Sequence, residues 1–111
     1  MKRAKGRSAK KVIRNWRQGR ALLARWWKKC ANLQVELKRP RVIDVVPIDY
    51  LRGEPVGTAG EGKKRFRGRL IFVTNADVTI RRPSGAILII DNYEIVSLSD
   101  SRHRFEPAKP S

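Results

Sequence analysis

The stretch FRGRLIFVTNADVTIRRPSGAILIIDNYEIVSL, residues 66–98, decides the fold, because it holds four short apolar runs separated by turn residues. Runs rich in Val, Ile and Phe between Asn, Asp, Pro and Gly are typical of β-strands joined by tight connections. They predict strands at 66–73, 78–82, 86–90 and 95–98. The run at 86–90 is apolar throughout, which predicts burial on both of its faces.

Upstream of this stretch, residues 42–48 are rich in β-branched side chains and predict a further strand. Residues 52–62 hold four glycines and one proline and predict a loop. Five short strands between residues 42 and 100 are too few for an ordinary sandwich. A small, strongly bent barrel closes its own edges, and Gly68 is where such a strand could bend. We therefore expect a five-stranded β-barrel over 42–100.

Residues 8–39 carry a helical pattern. Uncharged residues recur at spacings of three and four and share one face: Val12, Trp16, Gly19, Leu23, Trp26, Cys30, Leu33 and Leu37. Pro40 disfavours helix in the residue before it. The expected class is α+β: a long basic amphipathic N-terminal helix, then the barrel, with the helix covering one open end. Residues 1–7 are expected to be a disordered basic tail, and 101–111 a loose polar tail.

Positive charge is the dominant compositional feature. The chain has 26 Lys and Arg against 10 Asp and Glu, a net charge of +16. Residues 1–41 hold 15 bases and one acid, Glu36, so they carry +14 of that total. A chain this strongly charged repels itself, and such proteins usually bind a polyanion. The asymmetry predicts a cationic arm joined to an almost neutral domain.

The arrangement resembles the Sm-like and SH3-like small barrels. The step Gly68-Arg69-Leu70 and the stretch GKKRFRGRL, residues 62–70, are similar to the C-terminal barrel of the ribosome maturation factor RimP family. The stretch IIDNYEIVSL, residues 89–98, is placed like the end of the RNA chaperone Hfq. The RimP family has a separate domain where this chain has a basic helix. Hfq has a Lys-His pair where this chain has Asn92 and Tyr93.

The resemblance implies an RNA-associated protein whose strand connections contact bases. In this chain those connections hold Asn75, Asn92 and Tyr93, which can bond to and stack with an unpaired base. Asn is also an ordinary turn residue, so the turn interpretation stays open.

Two basic clusters are candidate phosphate contacts. On the helix they are Lys10, Arg14, Arg17, Arg25 and Lys28, with Trp27 at the stripe's edge as the best stacking candidate. On the barrel they are Lys63, Lys64, Arg65, Arg67 and Arg69, of which the three arginines alternate with Phe66 and Leu70 and so share a face. Arg81 and Arg82 extend this patch. A solvated charged surface is the alternative for both clusters. Trp16 and Trp26 are expected to pack, and Cys30 to be a small core residue.

Catalysis and cofactors have no support in the sequence. One Cys and one His cannot complete a four-ligand zinc site, and no acid-base constellation is present. We therefore expect no enzyme activity, no catalytic residue, no metal and no cofactor. A single cysteine and the absence of an apolar run of about 18 residues favour a cytoplasmic protein without a transmembrane segment.

These features predict a non-catalytic nucleic-acid-binding protein, with RNA favoured over DNA and a role near the ribosome or as an RNA chaperone. Two alternatives remain at this point. One is a DNA-binding accessory protein. The other is a structural or adaptor protein whose Trp-bearing helix docks on a second copy, another protein or an anionic membrane.

Overall fold

The computed structural model describes residues 10–44 and 62–107, which form one α-helix and one seven-stranded sheet. The helix, α1, is Trp16–Lys28. The strands are β1 (Lys11–Ile13), β2 (Asn32–Arg41), β3 (Lys63–Val73), β4 (Asp77–Arg81), β5 (Ile87–Asp91), β6 (Ile95–Ser99) and β7 (His103–Phe105). Their order across the sheet is β1-β7-β6-β2-β3-β4-β5, and only β1 and β7 pair in parallel. The α+β class is confirmed.

The sheet is open, so the prediction of a closed barrel is wrong. The end of β2 contacts the edge strand β5 through a side chain rather than through backbone pairing. The Arg41 guanidinium donates a hydrogen bond to the Ile89 carbonyl oxygen at 3.0 Å. The same guanidinium lies 3.6 Å from the carboxylate of Glu94. The second edge of β6 pairs with β7, through Leu98 and Phe105, and this extends the sheet instead of closing it.

The helix is much shorter than the predicted 8–39. Asn15 caps its start by accepting hydrogen bonds from the backbone N–H of Arg17 and Gln18. Cys30, at a φ of 47°, takes the left-handed conformation that ends many helices. Beyond it, Leu33, Val35 and Leu37 are buried at every second position of β2. Spacing by four fits a helix face and a strand face equally, and here the strand formed.

The C-terminal residues are more ordered than predicted. Residues 103–105 form β7, and the Phe105 ring is buried against α1, where a Cβ added at Gly19 would collide with it. The loose-tail prediction is therefore wrong for this part. The predicted strand at 42–48 is absent over 42–44, and its remainder lies outside the described residues, as do the predicted tail at 1–7 and most of the loop at 52–62.

The four strands predicted between 66 and 98 are confirmed, with the 75–77 connection and the Pro83-Ser84-Gly85 turn between them. The 91–93 turn is a 3-10 helix, Asn92–Glu94, capped by the Asp91 side chain. Burial of β5 on both faces is contradicted, since Ile87 and Ile89 are exposed. The core lies between α1 and one face of the sheet and is centred on Leu22, Leu23, Trp26, Leu33, Val35, Leu70, Ile80 and Leu98.

Candidate nucleic-acid interface

The arginines of β3 lie on the face of the sheet that points away from the core. Arg65, Arg67 and Arg69 are exposed, and the residues between and after them, Phe66, Gly68 and Leu70, are buried. The predicted alternation is confirmed. A Cβ at Gly68 would collide with Ile80 of β4, so this glycine allows the close approach of a neighbouring strand.

Arg81 of β4 joins the row. It is the register partner of Arg69 and is exposed, so two arginines stand directly opposite one another across two strands. Like charges in this position destabilise a sheet. The Arg69 guanidinium donates to the Cys30 carbonyl oxygen at 3.2 Å, which fixes its position without neutralising its charge. We call Arg65, Arg67, Arg69 and Arg81 the arginine face.

Few acids oppose the arginine face. The carboxylate of Glu36 on β2 lies 3.4 Å from the guanidinium of Arg65, and the Arg65 side chain is largely exposed. Opposite Arg67 and Arg69 stand the neutral residues Gln34 and Asn32. Within the described part of the chain, Arg67, Arg69 and Arg81 have no ion pair. Lys63 and Lys64 are exposed at the start of β3 and continue the positive charge along the strand.

A cavity of about 420 Å³ opens beside Arg67 and brings together residues from distant parts of the chain. We call it the cationic cavity. Its three basic side chains are Lys10, Lys29 and Arg67. Neutral polar residues complete most of its wall: Asn32, Gln34, Ser99 and Ser101. The predicted candidates Lys10 and Arg67 thus share a site, whereas Lys29 was not singled out from the sequence.

Among the described residues, Asp100 is the one acid in the wall of this cavity. Burial raises the pKa of its carboxyl group, but hydrogen bonds from the His103 N–H, the Trp26 indole and the Arg102 N–H outweigh burial and hold the pKa below its ordinary value. The indole nitrogen of Trp26 donates to Oδ2 at 2.8 Å. The carboxylate is therefore charged and already occupied by donors of the fold.

A second cavity, of about 520 Å³, brings the other three candidates together. We call it the aromatic cleft. Asn75, Asn92 and Tyr93 line it, and the Asn92 side-chain amide donates to the Asn75 carbonyl oxygen at 3.0 Å. Tyr93 is 70% exposed. The start of α1 supplies Trp16 and Arg20, whose guanidinium carbon lies 6.0 Å from the Trp16 ring centroid.

Sequence reasoning missed the contribution of Trp16, Arg20 and Lys38 to the aromatic cleft. Trp16 packs as expected, because its ring meets the Phe105 ring edge to face at 5.3 Å. The same ring also lines the aromatic cleft, which was not expected. Nothing in the local sequence places residues 16 and 20 beside residues 75 and 92. The signal is tertiary: it depends on β7 holding the first turn of α1 against this end of the sheet.

The remaining basic candidates do not form the predicted arm. Lys10 and Arg14 lie outside the helix, and Arg14 pairs with Glu106 at 3.1 Å. Arg17, Arg25 and Lys28 are exposed on α1. As far as the described residues show, these three side chains line neither the cationic cavity nor the aromatic cleft. The prediction of one continuous basic helix face from residue 10 to 28 is therefore wrong.

The three remaining predictions concern Trp27, Cys30 and Arg82. Trp27 is 36% exposed and meets the Phe72 ring edge to face at 5.1 Å, so part of its surface is available for stacking. Cys30 is exposed, which contradicts its assignment to the core. Arg82 is not free to extend the patch, because its guanidinium is held by Asp44 at 2.9 Å and by the Arg67 carbonyl oxygen. That contact also lowers the pKa of Asp44.

Among residues 10–44 and 62–107, no group of three or more His, Cys, Asp or Glu side chains is placed to hold a metal ion. Helices long and apolar enough to cross a membrane are also absent from that part of the chain. No family model, curated protein or solved structure matches this chain.

Proposed function

We propose that this chain is a non-catalytic protein that binds single-stranded nucleic acid, RNA in preference to DNA, through the arginine face. The observation that carries the proposal is the pairing of Arg69 and Arg81. They stand opposite one another with no acid between them in the described structure. A phosphate placed across this pair converts an unfavourable contact into two favourable ones.

The charge of the whole chain supports the same conclusion. A net charge of +16 far exceeds what solubility of a small domain requires. Binding of a polyanion to such a surface releases the counterions condensed on its phosphates, and this drives association without reading of sequence. The described acids near the arginine face, Glu36 and Asp100, already have partners among the protein's own donors.

The aromatic cleft favours a single strand. It offers two rings, Trp16 and Tyr93, beside the side chains of Asn75 and Asn92. An unpaired base can stack on the rings and form hydrogen bonds with the amides, whereas a base inside a duplex can do neither. The two cavities meet opposite ends of β6, at Ile95 and Ser99, roughly 13 Å apart along the strand.

The preference for RNA and a role beside the ribosome or as an RNA chaperone are proposals that rest on the resemblance to small RNA-associated barrels. The structural or adaptor alternative requires an exposed apolar face on α1, and most of that face is buried. The apolar side of α1 is covered by the chain's own sheet, with Trp26 only 1% exposed. A DNA partner remains the alternative that the experiment below separates.

The experiment compares two variants that remove equal charge. Fluorescence anisotropy would measure binding of single-stranded RNA, single-stranded DNA and duplexes across a salt series. For the Arg69→Gln/Arg81→Gln variant we expect much weaker binding and a salt slope lowered by about 0.7 unit, since the pair shares one phosphate and each lost single-strand phosphate contact removes about 0.7.

The matched control is Arg17→Gln/Arg25→Gln, which changes two exposed arginines of α1 that belong neither to the arginine face nor to the described walls of the two cavities. It has the same net charge, so it controls for long-range attraction and should keep the parent slope. Circular dichroism would check that both variants are folded. Equal slopes in the two variants would contradict the arginine face as the interface, and stronger binding of duplexes than of single strands would contradict the role given to the aromatic cleft.

A further inference from the structure

The cationic cavity differs from the arginine face in shape and in the origin of its charges. The arginines of the face are spaced along two adjacent strands, whereas the cavity is concave and collects cations from three separate places. Lys10 lies just before β1, Lys29 is the C-cap residue of α1, and Arg67 is in the middle of β3. A cation at a helix C-terminus is favourable by itself, which accounts for Lys29. It does not account for Lys10 and Arg67.

We propose that the cationic cavity binds the terminal phosphate of a nucleic-acid strand. This inference rests on the proposed function and adds that the protein recognises a strand end. A terminal phosphate monoester carries between one and two negative charges more than a hydroxyl end and presents three acceptor oxygens. Lys10, Lys29 and Arg67 offer it charged donors from three separate parts of the chain, with neutral donors from Asn32 and Gln34.

An internal phosphodiester fits this cavity less well. It carries a single negative charge, and the chain must leave it in two directions, which suits the extended arginine face better than a concave pocket. The carboxylate of Asp100 is not the anion that neutralises the three cations of the cavity. Its oxygens are directed to the Trp26 indole at 2.8 Å and to the backbone N–H of His103 at 2.7 Å.

The test uses the full chain and one single-stranded RNA sequence made in three forms: with a 5′-phosphate, with a 3′-phosphate, and with hydroxyls at both ends. We expect one of the phosphorylated forms to bind about tenfold tighter than the hydroxyl form, the gain of roughly one charge-assisted hydrogen bond. Which form gains tells which end the cavity takes.

Two variants locate the effect. Lys29→Gln/Arg67→Gln should abolish the preference for a phosphorylated end. Arg81→Gln, which is outside the cavity, should weaken binding of all three forms by a similar factor and leave the ratio between them unchanged.

The outcomes separate the two proposals. If all three forms bind the parent protein equally, the end-phosphate inference is wrong and the proposed function stands. If none of them binds, the proposed function itself fails. A preference that survives in Lys29→Gln/Arg67→Gln but disappears in Arg81→Gln would place the end phosphate outside the cationic cavity and overturn the assignment.

Discussion

At the scale of single residues, Trp26 and Trp27 are neighbours in the sequence with opposite surroundings. The Trp26 side chain is among the largest fully buried ones, and its indole nitrogen is satisfied by Asp100. Trp27 is the next residue of the same helix, at the edge of its buried face, and contacts the half-exposed ring of Phe72. Buried indoles usually need such a hydrogen-bond acceptor. The pair therefore offers a comparison in which residue type and helix position are nearly constant.

We expect Trp26→Ala to lower the free energy of unfolding by about 3–5 kcal/mol, because it opens a large cavity in the core. Trp27→Ala should lower it by about 1 kcal/mol or less, since only an edge-to-face contact is lost. Urea unfolding followed by circular dichroism measures both. Equal losses in the two variants would mean that α1 does not pack on the sheet as described. Nucleic-acid binding by Trp27→Ala would also report whether this ring stacks on a base.

At the scale of elements, β7 holds the start of α1. Its Phe105 ring lies against Gly19 at the end of the helix's first turn and meets Trp16 edge to face. β7 also carries β1, which pairs with it from Lys11 to Ile13. Three residues near the C-terminus therefore position the N-terminal segment, the first turn of α1 and, through Trp16, one wall of the aromatic cleft.

Gly19→Ala tests this contact. Alanine is the better helix former by about 1 kcal/mol, so an unobstructed helix would gain stability. The added methyl group collides with the Phe105 ring, and overpacking of this kind costs about 1–3 kcal/mol. We therefore expect a net loss in thermal unfolding. The control is Gln18→Ala at an exposed position of the same helix, expected to stay within about 0.5 kcal/mol of the parent. A Gly19→Ala variant more stable than the parent would show that the ring does not lie on α1.

The elements also show what the sequence could predict. The strands between residues 66 and 98 were predictable because apolar runs and turn residues alternate there, and the arginine face followed from period-two spacing. The end of α1 was not predictable, because the spacing of Leu33 and Leu37 fits both a helix and a strand. In addition, Cys30 is not a residue type that usually adopts positive φ. β7 was hidden because three residues with one aromatic give no periodic signal. Both cavities depend on these missed elements.

At the scale of the whole molecule, positive charge is divided between the helix and the sheet. α1 presents the exposed Arg17 and Arg25, and the sheet presents the arginine face. The cationic cavity lies where the two meet, between Lys29 at the end of α1 and Arg67 of β3. A flexible single strand can bend from the arginine face into a concave site more easily than a rigid duplex can. The proposed binding mode therefore uses the arginine face first and the cationic cavity second.

A surface arranged for a polyanion should reduce the stability of the free protein. Arg69 and Arg81 repel one another when no anion is bound, so Arg81→Gln should raise the thermal midpoint of the free protein by about 2–5 °C at low salt. The gain should shrink as salt is added, because screening already weakens the repulsion in the parent. With excess single-stranded oligonucleotide the order should reverse, since a ligand stabilises the protein it binds more tightly. Differential scanning fluorimetry in low salt, high salt and oligonucleotide measures all three conditions. If the variant is less stable than the parent in every one of them, the Arg69–Arg81 pair supports the fold, and the nucleic-acid proposal loses its main observation.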